Sequence, residues 1–189
     1  MTEKTRPVRK ARADAQRNRA LLLDAAKAVF AAKGAAASLE EIARAAGVGI
    51  GTLYRHFPTR DALVAAVYRN ETGRLAAAAA RLAKRHPPVK ALREWLLVFV
   101  DYLAAKRGMA EVLGSISGGA SALYAESGAQ MKDAIARLVA RAAESGELHL
   151  DMEPLDLLRA ISSVTGAEPE SKRAAKSLVD ILIAGMRAR

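Results

Sequence analysis

Apolar residues recur three and four positions apart along most of the chain, and no stretch alternates in the two-residue rhythm of a strand. Leu22, Ala25, Ala26, Val29 and Phe30 form such a stripe and predict a helix from about Asp14 to Lys33, closed by Gly34. A fourth helix is expected after Thr59, running to about Lys84 with Leu63, Val67 and Leu75 inward and His86-Pro87-Pro88 as its stop. Val89 to Lys106 carries a broad apolar face that includes Trp95, the chain's one tryptophan. A short helix over Met109 to Ile116 precedes a Ser117-Gly118-Gly119 break, and a longer one follows from Ala120 to Glu144. Pro154 and Pro169 each stand where a first-turn proline belongs and open the last two helices. The pattern as a whole predicts an all-α fold of about nine helices.

Between the first and fourth helices lies the most informative stretch, Ser38 to Arg60 (SLEEIARAAGVGIGTLYRHFPTR). Ser38 and Glu41 have the spacing of a capping box, in which each side chain bonds the other residue's backbone N–H. Leu39, Ile42 and Ala43 point inward, and Gly47 suits a helix stop because it tolerates the left-handed conformation. A second short helix begins near Gly49 or Ile50. Leu53 and Phe57, four apart, share its buried side, and Pro58 ends it. Helix, tight glycine-containing turn, helix is the pattern whose second helix enters a DNA major groove.

Charge sharpens this reading. The chain of 189 residues carries a net charge of +10. Residues 1–60 hold 12 Lys/Arg against 5 Asp/Glu, whereas the other 129 residues hold 18 against 15. A polyanionic partner for the N-terminal third follows. Residues 1–13 are basic and contain Pro7, and read as a flexible arm that follows a groove or simply aids solubility. There is no cysteine, hence no disulfide and no thiolate metal site, which suits a cytoplasmic protein. No apolar run is long enough to span a membrane. The glycines at 47, 49 and 51 miss dinucleotide-loop spacing, and His56, His86 and His149 lack metal-ligand spacing. No cofactor, metal or catalytic residue is therefore expected.

The run AGVGIGTLYRHFPTRDALVAAVY closely resembles the signature of TetR-family transcriptional regulators. That resemblance implies a basic arm (1–13), a helix-turn-helix DNA-binding domain (14–65) and an effector-binding and dimerisation domain (66–189). It implies that the helix from Ile50 to His56 reads DNA, with Ser38, Gly49, Ile50, Gly51, Thr52, Tyr54, Arg55, His56 and Arg60 at the interface. Tyr54, His56 and Arg60 would meet phosphates, and Arg55 is the candidate for bidentate guanine readout. The alternatives are a core aromatic for Tyr54 and a solvated charge for Arg55. Ile50 and Gly51 offer no side-chain hydrogen bond, so direct readout is expected to be thin, with shape and phosphates contributing more.

The resemblance further implies an effector pocket in the body, with Trp95, Phe99, Tyr102 and Met109 among its lining. Leu113, Ile116, Leu123, Tyr124 and Met131 complete the candidates. Aromatic and Met residues at helical spacing are also what plain core looks like. The apolar faces Leu157, Leu158, Ile161 and Leu178, Ile181, Leu182 are expected at a homodimer interface, or else within the monomer. The implied partners are a palindromic double-stranded DNA operator, a small-molecule effector and a second copy of the chain, with no membrane. The implied function is a repressor released from its operator by the effector. A DNA-organising protein without an effector is the alternative.

Overall fold

The computed structural model describes residues 6–166 and 168–187. Among the described residues there are nine α-helices and no strand: α1 (Arg6–Lys33), α2 (Leu39–Ala45), α3 (Ile50–His56), α4 (Arg60–Arg85), α5 (Pro88–Gly108), α6 (Ala110–Gly114), α7 (Ser121–Glu144), α8 (Pro154–Val164) and α9 (Pro169–Gly185). The expected all-α layout is the observed one. The first helix, however, begins at Arg6 rather than near Asp14. Proline in a first helical turn lacks only a hydrogen bond that would be unmade anyway, and the Ala, Arg and Lys that follow Pro7 favour helix. Residues 1–5 of the expected arm lie outside the described residues.

The chain divides into two compact units, Met1–Val67 with Met109–Gly119, and Tyr68–Gly108 with Ala120–Arg189. The division falls inside α4, two residues from the expected boundary. It also assigns the α6 segment to the first unit. Sequence order alone would have placed that segment in the body.

In the first unit, Leu22, Ala26 and Phe30 of α1 are buried with Ile42 of α2, Leu53 of α3 and Leu63 of α4. Ser38 Oγ accepts from the Glu41 backbone N–H at 3.1 Å, half of the expected capping box. Glu41 uses its carboxylate elsewhere, in an ion pair with Lys33. Gly47 has φ +68°, the left-handed turn that separates α2 from α3. The α6 segment is tied in at two points. Glu111 Oε2 accepts from the Ala35 N–H at 3.3 Å, and Asp61 Oδ2 accepts from the Ser117 N–H at 3.0 Å. Gly34 takes φ +55°, a left-handed conformation that favours glycine, and a Cβ there would have to push the Glu111 carboxylate aside.

In the second unit the core is built around Trp95, which is fully buried and donates its indole N–H to Leu75 O at 2.9 Å. Trp95 and Phe99 stack at 5.8 Å between ring centres, and Phe99 and Tyr102 at 6.2 Å. Leu92 and Leu96 from α5, Ile135 and Leu138 from α7, Leu157 and Ile161 from α8 and Val179 from α9 complete this core. α5 and α9 are also pinned by charge. Asp101 meets Lys172 at 3.0 Å and Lys176 at 2.9 Å, and Arg93 meets Asp180 at 2.6 Å. Burial opposes ionisation of Asp101, but the two lysines outweigh it and hold its carboxyl below the usual range.

Candidate nucleic-acid interface and cavity

α2, the Gly47 turn and α3 give the helix-turn-helix of the first unit. α3 is amphipathic over only two turns. Leu53 and the following Phe57 are buried, while Ile50, Gly51, Tyr54 and Arg55 are exposed and Thr52 and His56 are half-buried. No carboxylate lies on α3, and Arg55 and His56 occupy its last turn. Ser38 and Gly49 are exposed N-caps; Ser38 caps with its hydroxyl, whereas Gly49 makes no side-chain bond. Eight of the nine expected interface residues thus lie on or at the start of α2 and α3.

Two arginines behave differently from the sequence expectation. Arg55 folds back on its own helix, with Nε donating to Gly51 O at 3.2 Å and Nη2 to Thr52 Oγ1 at 3.1 Å. The fork is held against α3, and it must exchange these bonds for any made to a base. Arg60, expected to meet phosphate, turns inward. It donates from Nη1 to Ala37 O and from Nη2 to Ala35 O (3.0 Å), and lies 5.1 Å from the Phe30 ring centre. The reason is local: the turn between α1 and α2 leaves carbonyls without helical partners, and a planar cation satisfies two together. Sequence reasoning also missed Arg19, whose guanidinium sits 5.4 Å from the ring centre of Phe57.

The second unit contains a cavity of about 480 Å³ among α4, α5, α7 and α8, within the roughly 300–1,000 Å³ usual for small-molecule sites. Four expected lining residues do line it: Phe99, Tyr102, Tyr124 and Met131. Trp95 does not, because it is wholly enclosed and committed to the Leu75 carbonyl. Leu123 is buried but outside the lining. Met109, Leu113 and Ile116 belong to the first unit, carried there by the Glu111 and Asp61 ties. Leu158, expected at a dimer interface, lines the cavity instead. Leu157 and Ile161 are fully buried in the monomer core, so these three are unavailable to a partner. Of the remaining expected interface residues, Ile181 is 67% exposed and Leu178 and Leu182 are half-buried.

One wall of the cavity is a hydrogen-bonded relay. Tyr102 donates to the Tyr68 hydroxyl at 3.3 Å, Tyr68 lies 2.7 Å from Ser127 Oγ, and Ser127 donates to Tyr124 O at 3.0 Å. Tyr68 and Ser127 are both buried. Burial pushes the Tyr102 phenol well up, helped by its bond to Tyr68, and burial likewise raises Tyr124. Both are therefore neutral donors at pH 7. The Lys106 ammonium sits 4.3 Å from the Tyr124 ring centre and 5.8 Å from that of Tyr68. Lys106 was not anticipated from sequence, although Phe99, Leu103 and Lys106 share one helix face.

Comparison with known proteins agrees with this architecture. Residues 22–67 match the family described as bacterial regulatory proteins, tetR family, and residues 87–188 match the domain described as transcriptional regulator SbtR-like, C-terminal domain. The chain belongs to the TetR family: it is a DNA-binding transcriptional regulator, a class that acts by binding rather than catalysis. It is similar to a TetR regulator from Streptomyces coelicolor, 42% identical over 89% of this chain and 98% of that one, with a TM-score of 0.82. A TetR regulatory protein from Mycobacterium vanbaalenii is 33% identical over 94% of this chain and 99% of that one, with a TM-score of 0.77. The fatty acid degradation regulator FadR from Bacillus halodurans shares the fold at 20% identity and a TM-score of 0.63, across 88% of this chain and 98% of that one. Among the described residues no helix is long and apolar enough to cross a membrane.

Proposed function

We propose that this regulator is a homodimeric repressor whose α3 lies in the major groove and whose operator affinity falls when a small molecule occupies the second unit's cavity. On this reading Tyr54 and His56 position α3 against phosphates, Ile50 meets an apolar base edge, and Arg55 swings off Gly51 and Thr52 to read guanine. Ser38, Gly49 and Gly51 let the backbone approach closely, and Arg60 supports the head from within. A partner copy is required because one head covers one half-site, and two-fold half-sites lie about 34–36 Å apart. The dimer face is assigned to exposed apolar residues of α8 and α9, Val164 (44% exposed) and Ile181, with Leu178 and Leu182 beside them.

One observation carries the ligand-gated reading. Lys106 and Tyr124 line the cavity, and in sequence they bracket the segment Met109–Gly119, which groups with the DNA-binding head. A ligand that grips both would hold the chain on either side, in sequence, of a segment that groups with the head. It weakens operator binding by its difference in affinity between the two states. Selection of bound sequences from a random duplex library, at two salt concentrations, is the test. A palindrome with half-sites about one turn apart supports a specific regulator. Binding without sequence preference and with steep salt dependence supports a DNA-organising role instead.

A further inference from the structure

The cavity's chemistry is uneven in two ways. Its inner wall is apolar and buried, with Phe99 5%, Met131 6% and Leu158 3% exposed, whereas Tyr124 at the other side is 40% exposed. The polar groups are also unequally committed. The hydroxyl protons of Tyr102, Tyr68 and Ser127 follow one another along the relay and end on a backbone carbonyl. Ser162 and Ser163 give theirs to Leu158 O at 2.7 Å and Ala160 O at 2.8 Å. Arg159 gives one N–H to Asp156 at 2.6 Å, and its side chain is 70% exposed, so its charge is largely solvated. The charged donor held against the aromatic wall is the Lys106 ammonium, which has no carboxylate partner among the described residues and lies over the Tyr124 ring. No Asp or Glu lines the cavity.

We infer that the effector is an amphipathic organic anion, a carboxylate or its equivalent, with its apolar body against Phe99, Met131 and Leu158 and its charge on Lys106 and the Tyr124 hydroxyl. This rests on the reading of the cavity as an effector site. A cationic ligand is disfavoured because the faces of Tyr68 and Tyr124, the groups that would attract it, already hold Lys106. A neutral apolar ligand fills the inner wall but leaves the ammonium without an anion. Lys106, with three donors and no acceptor, is thus the residue that sets ligand charge.

The test uses the full-length chain and a neutral fluorescent reporter, N-phenylnaphthylamine, displaced at pH 7 by decanoate, decanol or decyltrimethylammonium, the two ions below their micelle concentrations and decanol below its solubility limit. Decanoate is expected to displace the reporter at a concentration about tenfold or more below that of decanol, as suits an anion on a charged donor. The ammonium is expected to be poorest. Lys106→Met keeps the apolar stem and should bring decanoate level with decanol, while Lys132→Met, exposed on α7 and outside the lining, should leave the order intact. If Lys106→Met fails to fold by circular dichroism, the wild-type order still decides. Decanol equal to or better than decanoate, or a preference for the ammonium, overturns the anion and leaves the cavity reading standing. If the reporter does not bind at all, the cavity reading fails, and this inference fails with it.

Discussion

Arg60 offers a sharp test of how the head is built, because two readings of it predict opposite behaviour. A surface arginine that meets phosphate contributes little to stability and about one unit to the salt slope of DNA binding. The structure instead places its guanidinium on the carbonyls of Ala35 and Ala37 and over the face of Phe30. Bonds from a charged donor contribute about 1.5–3 kcal/mol each, and a cation over an aromatic face about 0.5–1 kcal/mol where exposed. Arg60 is only half-buried, so solvent reduces the sum; Ala37, at 3% exposure, limits how far water can replace the lost donor. Arg60→Ala should therefore destabilise the head by about 2–4 kcal/mol. Arg60→Lys should recover less than half of this, since an ammonium cannot span both carbonyls in one plane.

The measurement is hydrogen exchange across residues 34–45 of the full-length chain, read beside operator affinity at several salt concentrations. Local opening reports the head without requiring the whole chain to unfold in one step. Faster exchange at 34–45 with an unchanged salt slope is the expected result for both variants, graded Ala over Lys. Unchanged exchange with a slope reduced by about one unit would return Arg60 to the phosphate backbone and refute the argument.

Three further outcomes are expected. Arg55→Ala should relax base preference at one position in each half-site and cost about 1–3 kcal/mol there; selection from a random library reads it, and an unchanged preference would make Arg55 a helix-stabilising charge only. Ile181→Asp should shift the chain from dimer to monomer in sedimentation velocity and abolish operator binding while its circular dichroism stays helical; a dimer that persists would place the interface elsewhere. Asp61 is held below the usual carboxylate range, first by the Ser117 backbone N–H and then by that serine's side chain. Because the folded value is depressed, its tie to Ser117 is fully present above the ordinary carboxylate range and lost as pH falls through the depressed value. Protection of the Ser117 amide, corrected for intrinsic exchange, should fall over that acidic window, and Asp61→Asn should remove the pH dependence.

The helices were legible because their signals are local. Apolar spacing, Ser38, Gly47 and the first-turn prolines act within a few residues of the structure they specify. The start of α1 was missed because a basic, polar segment with a proline satisfies a helix's first turns as well as it satisfies a tail. Errors at the sites have a different origin. Whether Trp95 walls a cavity or seals a core depends on a carbonyl twenty residues away, and whether Leu158 faces a partner or a ligand depends on α5 and α7. Arg60 read as a surface cation because nothing in its neighbourhood names Ala35 and Ala37 as acceptors. The α6 segment was assigned to the body by chain order, while two long-range bonds assign it to the head.

These commitments bear on how little energy the proposed ligand-gated release would need. Three arginines of the head are engaged within it: Arg60 with the α1–α2 turn, Arg55 with its own helix and Arg19 with Phe57. Ile50 and Gly51 add no side-chain hydrogen bond. Direct readout by α3 is thus thin, and a single head is expected to discriminate weakly among sequences. In the proposed dimer, two linked heads would gain through effective concentration, by roughly 10²–10⁴ over one, provided their spacing matches the half-sites. On the proposed mechanism, that gain is what a ligand would have to remove. A coupling of about 1–3 kcal/mol, the usual range for linkage between sites, would remove the lower end of that gain, up to roughly a hundredfold, without any change in α3 itself. Weak heads and a modestly coupled cavity therefore belong together. A variant with a strengthened recognition helix should bind DNA more tightly and respond less to effector.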